Sequence, residues 1–288
     1  EELITFSNHA FYGGRLVTAP PALRQREACE GMRFERVDGY WREQQNRAEA
    51  EATAAQVIAL LGQTGPEGRP LSVGVITFNQ KQRALIEALL DDRAAADPVA
   101  RSRLADEWER PATEALFVKN IENVQGDERD VIVFSIGYGR AEEGGRVAAR
   151  FGPVGLEGGE NRLNVAITRA RVGIVVLASF EPRELRVDDS LHLGPKLLRR
   201  YLDYVYEVGY EGGSGAKTLS ELAALMGLQR AGLGGEVSAA QARSAVGARV
   251  KEELADALEG CGLVVARDFG IGPHRLDLAV RAGGPSLT

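Results

Sequence analysis

Short, almost wholly apolar runs that alternate with helical patterns constrain the fold of this chain more than any other feature. The runs cover residues 73–78, 131–136 and 174–178. Such a run is typical of a strand in a parallel sheet that helices cover on both faces. Apolar residues also recur at helical spacing over residues 46–61 and 82–90. The alternation predicts an α/β fold built on a doubly wound parallel sheet.

The distribution of glycine indicates where this domain ends. We expect an α/β domain over residues 1–205 and a flexible linker over 206–241, where two glycine-rich stretches flank a short helical pattern. A helical pattern followed by two strand patterns predicts a smaller α+β unit over residues 242–288. Residues 140–160 are rich in Gly, Glu and Arg, and we expect them to form an exposed loop.

The composition excludes several classes of protein. A net charge of -6 over 288 residues argues against a strongly basic nucleic-acid binder, although a local basic groove is compatible with it. Cys29 and Cys261 are far apart and the histidines are scattered, so no metal site is expected from them. The sequence shows no long apolar run and no signal peptide, so no membrane span is expected. Because the chain lacks an initiator Met, we expect a piece of a longer protein in the reducing cytoplasm.

Residues 160–171 read Glu-Asn-Arg-Leu-Asn-Val-Ala-Ile-Thr-Arg-Ala-Arg and lead into an apolar run. As one continuous helix, this segment would place Arg162 and Arg169 two turns apart on the same face. Two arginines at the edge of a parallel sheet suit a polyanion, because the guanidinium group stays charged and grips phosphate oxygens in pairs. From the spacing alone, a surface helix with solvated arginines is an equally good interpretation.

A polar turn with a central glycine precedes the second apolar run. It reads Val-Gln-Gly-Asp-Glu-Arg-Asp over residues 124–130. Turns at the edge of a parallel sheet are common places for ligand contacts, although a charged connecting turn is the alternative. Asp127 and Glu128 are not the acidic pair of a Walker B motif, because that pair follows a buried strand and these residues precede one.

These two segments resemble motifs V and VI of the superfamily 1 helicases, in the branch that includes the nonsense-mediated-decay helicases and their bacterial relatives. Weaker matches follow in the expected order at residues 6–12, at Asn46 with Glu49 and Ala50, and at residues 77–79 with Gln82. The resemblance covers roughly residues 1–205. It implies that the α/β domain is RecA-like and is the second of the two motor domains of a helicase.

The resemblance also implies roles for residues of the two motifs. Arg169 matches the arginine finger, which stabilises charge on the γ-phosphate of ATP. Glu128 matches an acidic residue that contacts the nucleotide, and Gln125 and Gly126 shape the same turn. Arg162 is a further catalytic candidate, with the alternative that it braces the motif V loop through a salt bridge. The candidates for contact with single-stranded nucleic acid are Thr77, Lys119 and Asn120.

A helicase of this type also needs a phosphate-binding loop, which its first RecA-like domain supplies. The phosphate-binding loop GxxxxGK[ST] is absent, and residues 215–218 only imitate its end, with Ala216 where glycine is required. The resemblance therefore implies that ATP and Mg²⁺ are held mainly by a first RecA-like domain of the same protein. We expect single-stranded DNA rather than RNA as the partner, although the motifs themselves do not separate the two. The alternatives are an RNA helicase and a RecA-like scaffold that binds nucleic acid without hydrolysing ATP.

The tail resembles the start of a very-short-patch-repair-like endonuclease domain, a kind of restriction-endonuclease-like fold. Asp277 stands where that family has its first metal-binding Asp, and Glu253, or Glu252 beside it, stands near its helical Glu. Metal-ion cleavage of DNA needs several converging carboxylates. Because the later acidic pair of that family is not found in this sequence, we expect no nuclease site within the chain itself.

Overall fold

The computed structural model describes residues 2–17, 31–65, 68–147, 151–232, 254–261, 263–271 and 274–282. The chain divides into two compact units, Glu1–Leu225 and Met226–Thr288. In the part of the chain that the structure describes, every helix is too short or too polar to cross a lipid bilayer.

The first unit alternates helices and strands, as the apolar runs predict. Its elements are α1 (Glu2–Phe11), β1 (Gly31–Arg36), α2 (Arg47–Leu61), β2 (Val73–Thr77), α3 (Gln80–Ala96), α4 (Pro98–Glu109), β3 (Phe117–Asn120), β4 (Arg129–Ser135), α5 (Gly159–Ile167), β5 (Ala170–Ala178), α6 (Leu193–Gly209) and α7 (Ala216–Gly232), the last of which continues past the boundary of the unit. Short 3-10 turns lie at Ile121–Asn123, Gly152–Gly155 and Pro182–Glu184.

The five strands form one parallel sheet in the order β1-β5-β4-β2-β3. Every residue of β2 and β4 is buried, which explains the apolar runs within these strands. Val73 and Val131 belong to the core that α2 and α3 cover on one face. On the other face, the Phe134 ring lies 6.2 Å from Tyr201 of α6, which in turn contacts Phe6 of α1. The predicted α/β, RecA-like doubly wound sheet is confirmed.

Asparagine side chains start the two helices that follow the carboxyl edge of the sheet. The Oδ1 atom of Asn46 accepts a hydrogen bond from Glu49 N at 3.2 Å, at the start of α2. Asn79 does the same for Gln82 N at 2.9 Å, at the start of α3. Each bond satisfies a backbone donor that the first turn of a helix leaves free, so the helices begin directly after the loops at this edge.

Two segments are more ordered than their glycine content predicts. Phe151 and Val154, within the predicted exposed loop, are buried, and the Phe151 ring packs against Tyr138. The predicted flexible linker is helical over α7, and Gly215 before it permits close packing, because a Cβ atom there would lie 2.2 Å from the Tyr204 ring. The backbone N–H of Thr218 also donates to a carboxylate oxygen of Glu207 at 3.2 Å, which ties α7 to α6.

The second unit contains a helix over residues 254–260 and the antiparallel hairpin of β6 (Leu263–Ile271) and β7 (His274–Ala282). Val265 lies opposite Val280 in this hairpin. Asp277 belongs to β7, and Glu253 lies outside the described residues.

Candidate functional site

Arg169 and Glu128 lie side by side at the amino ends of two neighbouring strands. Arg129 N donates a hydrogen bond to the Arg169 carbonyl oxygen at 3.1 Å, and Arg129 pairs with Ala170 in the sheet. The Nη1 atom of Arg169 is 3.9 Å from Oε1 of Glu128. The arginine side chain is 20% exposed and the glutamate 56% exposed. The pair is thus half-sheltered, with the carboxylate on the solvent side.

The end of α5 sets the direction of the Arg169 side chain. The helix ends at Ile167 with Thr168 as its cap, so Arg169 lies between the helix and β5. Its Nε donates to the Val165 carbonyl at 2.8 Å and its Nη2 to Thr168 Oγ1 at 3.0 Å. These two bonds hold one side of the guanidinium group and leave Nη1 with the loose contact to Glu128.

The predicted common face of Arg162 and Arg169 is therefore wrong, because the helix ends before Arg169. The Nη1 atom of Arg162 donates to the carbonyls of Pro153 and Glu157, at 3.3 Å and 3.4 Å. Among the described contacts, Arg162 has none with the motif V turn, so it braces the segment before α5 instead. Its position gives no support to a catalytic role.

The turn that carries Gln125 and Gly126 connects opposite edges of the sheet. It leaves the carboxyl end of β3 and reaches the amino end of β4, so Glu128 is not at the edge where parallel sheets usually bind ligands. Gly126 has a φ of 88°, a left-handed conformation that favours glycine. Lys119 Nζ is 2.7 Å from Asp127 Oδ2, and this ion pair fastens the turn to β3.

Asp130 forms a second charged cluster beside the first, one that the sequence patterns do not reveal. Its carboxylate accepts from Ser72 N at 2.9 Å and Ser72 Oγ at 2.7 Å, and it lies 3.0 Å from Arg69 and 3.5 Å from Arg171. Burial alone raises the pKa of Asp130, but the Ser72 hydrogen bonds and the two guanidinium groups outweigh it and hold the pKa below its ordinary value. Arg171 is thus a structural partner of a buried carboxylate.

The three candidates for nucleic-acid contact lie together at the carboxyl edge of β2 and β3. Thr77 pairs with Asn120 across these strands, and both side chains are buried. Thr77 Oγ1 donates to the Asn79 carbonyl at 3.1 Å, so this hydroxyl shapes the turn. The Lys119 side chain is 37% exposed, with its ammonium group paired to Asp127. Two buried atoms here, Asn79 Nδ2 and Asn120 Oδ1, have no hydrogen-bond partner among the described residues.

A buried polar network joins the ends of three strands at the same edge. We call it the strand-end network. Its members are Asn46, Glu49, Gln82, Ser135 and Ser179, and all are buried.

Glu49 is at the centre of the strand-end network. Its Oε1 accepts from Ser135 Oγ at 2.8 Å and from Gly137 N at 2.6 Å, and its Oε2 accepts from Ser179 Oγ at 3.2 Å. Burial raises the pKa of Glu49 to about 7, although the hydrogen bonds from Gly137, Ser135 and Ser179 oppose the rise. A helical-spacing argument reveals this residue, since Glu49, Thr53 and Val57 lie one turn apart on the buried face of α2.

Among the described residues, no group of three or more His, Cys, Asp or Glu side chains is arranged to hold a metal ion. Asp277 is a member of β7, and its proposed companion Glu253 is not described. The described carboxylates Glu128 and Asp130 instead contact arginines.

Comparison with known proteins gives two results. A protein family described as AAA domain matches residues 1–181. Two curated relatives are the "Uncharacterized ATP-dependent helicase MG140" of Mycoplasma genitalium, 37% identical over 208 residues, and its homolog in Mycoplasma pneumoniae, 38% identical over 208 residues. Each match covers 70% of this chain, and the chain spans 17% of the length of each relative.

Proposed function

Because the chain belongs to this AAA domain family, we propose that it is the second RecA-like motor domain of an ATP-dependent nucleic-acid helicase or translocase. The observation that carries the proposal is the contact of Arg169 with Glu128, just before the amino ends of two adjacent strands of a parallel sheet. The two curated relatives, each named as an uncharacterized ATP-dependent helicase, support it. Within the helicases, residues 124–130 and 164–171 favour superfamily 1 and the branch of the nonsense-mediated-decay helicases.

The nucleotide side of the proposal concerns Arg169. Two of its nitrogens are held by Val165 and Thr168, while the one contact of Nη1 with the described residues is the distant one to Glu128. A guanidinium group held on one side and free on the other suits an arginine finger. Glu128 would keep the charge oriented until ATP is present, and Gln125 and Gly126 would allow the turn to approach the nucleotide.

ATP supplies the phosphoanhydride bond whose hydrolysis would drive movement along a nucleic-acid strand. The residues of this chain fit only one side of such a ligand, because a phosphate-binding loop is missing from the sequence and the described carboxylates form no magnesium site. We propose that a first RecA-like domain of the same protein provides that loop and holds Mg²⁺. The greater length of the relatives is compatible with such a domain.

The nucleic-acid side of the proposal concerns the carboxyl edge of β2 and β3. Lys119 is the one of the three candidates that exposes its side chain, while Thr77 and Asn120 would act by shaping the backbone of the edge. Contacts from a lysine to phosphate position a strand without reading its sequence. We favour single-stranded DNA because the tail resembles a DNA-repair endonuclease; RNA is the alternative substrate.

For the tail, we propose that residues 242–288 begin a restriction-endonuclease-like domain joined to the motor through residues 206–241. The support is the strand that carries Asp277 within an antiparallel hairpin. In the full-length protein, Asp277→Ala should abolish metal-dependent DNA cleavage and leave ATP hydrolysis intact. Unchanged cleavage by that variant would contradict the nuclease assignment alone.

The motor proposal is tested by the ATPase activity of two samples. The full-length protein should hydrolyse ATP faster when single-stranded DNA is added, and the present chain alone should show no turnover because it lacks the phosphate-binding loop. Stimulation by RNA only would identify an RNA helicase. Nucleic-acid binding without any turnover by the full-length protein would identify a scaffold, and the motor proposal would then be wrong.

A further inference from the structure

The strand-end network connects elements that are distant in sequence but meet at the proposed nucleic-acid edge. Glu49, on α2, receives hydrogen bonds from Ser135 and Gly137 at the end of β4 and from Ser179 after β5. One carboxylate thus holds the chain where it leaves two neighbouring strands. The backbone N–H of Gly137 is 2.6 Å from Oε1, the shortest of these contacts.

Gln82 extends the network to the turn after β2. Its Nε2 donates to Ser135 Oγ at 3.0 Å, and its Oε1 accepts from Asn46 N at 2.8 Å. The backbone N–H of Gln82 donates to the Asn79 side chain. The Asn79 carbonyl in turn accepts from Thr77 Oγ1 at the end of β2. Ser135 Oγ therefore links Glu49 directly to Gln82. Through Gln82 it also links Glu49 to the turn at the proposed nucleic-acid edge.

Three glycines let the surrounding loops close tightly on the network. A Cβ atom on Gly39 would lie 2.3 Å from Asn46 Oδ1, and one on Gly137 would lie 3.2 Å from the Gln82 side chain. A Cβ atom on Gly139 would lie 3.5 Å from Asn46 Nδ2. The distances at Gly39 and Gly137 are shorter than ordinary contacts, so the loops lie directly against these polar side chains, and Gly139 lies at ordinary contact distance.

A carboxylate is a poor choice for stability at this position of α2. Its neighbours on the buried face include Ala50, Ala54 and Val57, and an apolar residue would avoid the cost of burying a charge. The contacts described for Glu49 are hydrogen bonds from uncharged groups, and none is an ion pair. Glu49 costs stability, but it connects the ends of β4 and β5 directly and the turn after β2 through Ser135 and Gln82. The geometry that it maintains explains its presence.

We propose that Glu49 is a positioning residue for nucleic-acid binding, which holds the loops after β2, β4 and β5 in the arrangement that a single strand contacts. The inference rests on the proposed function and adds to it a residue that touches neither the nucleic acid nor ATP. Its loss should weaken the binding of single-stranded DNA far more than the binding of ATP, because Arg169 lies at the opposite edge of the sheet.

The test uses the full-length protein, a fluorescent thymidine oligonucleotide and two readouts. Anisotropy gives the affinity for the oligonucleotide, and steady-state kinetics give the KM for ATP and the oligonucleotide concentration for half-maximal stimulation. Glu49→Ala should weaken oligonucleotide affinity by roughly 3- to 30-fold, as is typical of a residue that acts on a binding site without touching the ligand, with the KM for ATP changed less than about twofold. Glu49→Gln should restore most of the affinity, because an amide oxygen still accepts from Gly137 and Ser135.

The matched control is Thr53→Val. Thr53 is the next buried polar residue on the same face of α2. The one hydrogen bond described for its hydroxyl group goes to the Glu49 carbonyl, so the strand ends should keep their positions. If Glu49→Ala does not fold, Ser135→Ala removes the hydroxyl between Glu49 and Gln82 and should weaken oligonucleotide affinity in the same way.

The outcomes distinguish a failure of the proposed function from a failure of the positioning role of Glu49. Wild-type protein that binds no oligonucleotide would contradict the proposed function and this inference with it. Wild-type binding with equal affinity in Glu49→Ala and Thr53→Val would contradict the positioning role alone. A loss in Glu49→Ala that Glu49→Gln does not restore, or that extends equally to the KM for ATP, would show a merely structural role and overturn the inference.

Discussion

Nη1 of Arg169 lies 3.9 Å from Oε1 of Glu128, across the point where β4 and β5 begin side by side. The distance is too long for a direct hydrogen bond, so the two groups attract each other through charge alone. Val165 and Thr168 hold the rest of the guanidinium group. The pair therefore combines a fixed side chain with one nitrogen that a phosphate oxygen can take over.

The first prediction concerns Arg169 in the full-length protein. Arg169→Ala should lower ATP turnover by about 1000-fold or more, because an arginine finger acts mainly on charge that develops in the transition state. Oligonucleotide affinity should change little. Arg169→Lys should recover only part of the turnover, since an ammonium group keeps the charge and loses the planar fork. Steady-state ATPase assays beside an anisotropy titration measure both quantities.

Arg171→Ala is the matched control for Arg169→Ala. Arg171 lies on β5 and contacts Asp130 and Ser72. Its removal should cost about 1 kcal/mol of unfolding free energy, as for other half-exposed ion pairs, and should affect turnover much less than Arg169→Ala. If Arg171→Ala were the more damaging change to turnover, the assignment of the arginine finger would be wrong.

The second prediction concerns the space around Asn46. Gly39→Ala should lower the free energy of unfolding by about 1–3 kcal/mol, because the added methyl group would lie 2.3 Å from Asn46 Oδ1 and must displace it. Gly155→Ala is the control, since a Cβ atom there meets nothing within 4 Å. Urea unfolding of both variants gives the comparison. Equal stabilities would mean that the loop after β1 is not packed on the network.

The fold was predictable where a strand is buried on both faces and less so elsewhere. β2 and β4 follow from their apolar runs, but β1 is an edge strand in which only Met32 and Phe34 are buried. Because Arg33, Glu35 and Arg36 interrupt its apolar residues, a search for apolar runs does not find β1. The end of α5 was also missed, because residues 160–171 carry no proline or glycine after Gly159 to stop a helix; the tertiary pairing of Arg129 with Ala170 begins the strand instead.

The candidate site was also predictable only in part. The motif segments predicted that Glu128 and Arg169 are functional, and the sheet brings them together. The strand-end network was not predictable as a unit, because Glu49, Ser135 and Ser179 are far apart in sequence and meet only when three parallel strands end at one edge. Periodicity shows that Glu49 faces the core, and only the tertiary structure shows what it contacts.

The third prediction concerns Asp130 at low pH. Its pKa lies below the ordinary value of 3.8 in the folded protein, so its contribution to stability is present above about pH 4 and is lost as the pH falls through the folded pKa. Asp130→Asn should lower the free energy of unfolding at pH 7 by about 1–3 kcal/mol, because the NH2 group of the amide must face another donor, either Ser72 N–H or a guanidinium group. The loss should shrink below pH 4. A difference between variant and wild type that does not change with pH would contradict this role.

The last prediction concerns the titration of Glu49 and separates its ionisation from its hydrogen bonds. Burial raises the pKa of Glu49 in the folded protein from 4.5 to about 7. In the unfolded chain the carboxyl group loses its proton near its ordinary pKa, so between pH 4.5 and about pH 7 the folded state binds more protons than the unfolded state. The free energy of unfolding should therefore fall as the pH rises through this window and then stop changing on account of Glu49. A pKa difference of one unit between the folded and unfolded states corresponds to about 1.4 kcal/mol, so the whole change in the free energy of unfolding is roughly 3 kcal/mol.

Glu49→Gln removes the titration and keeps an acceptor for Gly137 and Ser135. Its free energy of unfolding should match that of wild type to within about 1 kcal/mol near pH 5, where Glu49 is neutral, and should exceed it near pH 8, where the wild-type carboxylate is charged and buried. Every other titrating group is shared by the two proteins, so the difference between their urea-unfolding curves from pH 5 to pH 8 isolates Glu49. Parallel curves would mean that Glu49 ionises with an ordinary pKa. A difference of opposite sign would mean that its hydrogen bonds outweigh the cost of burying the charge.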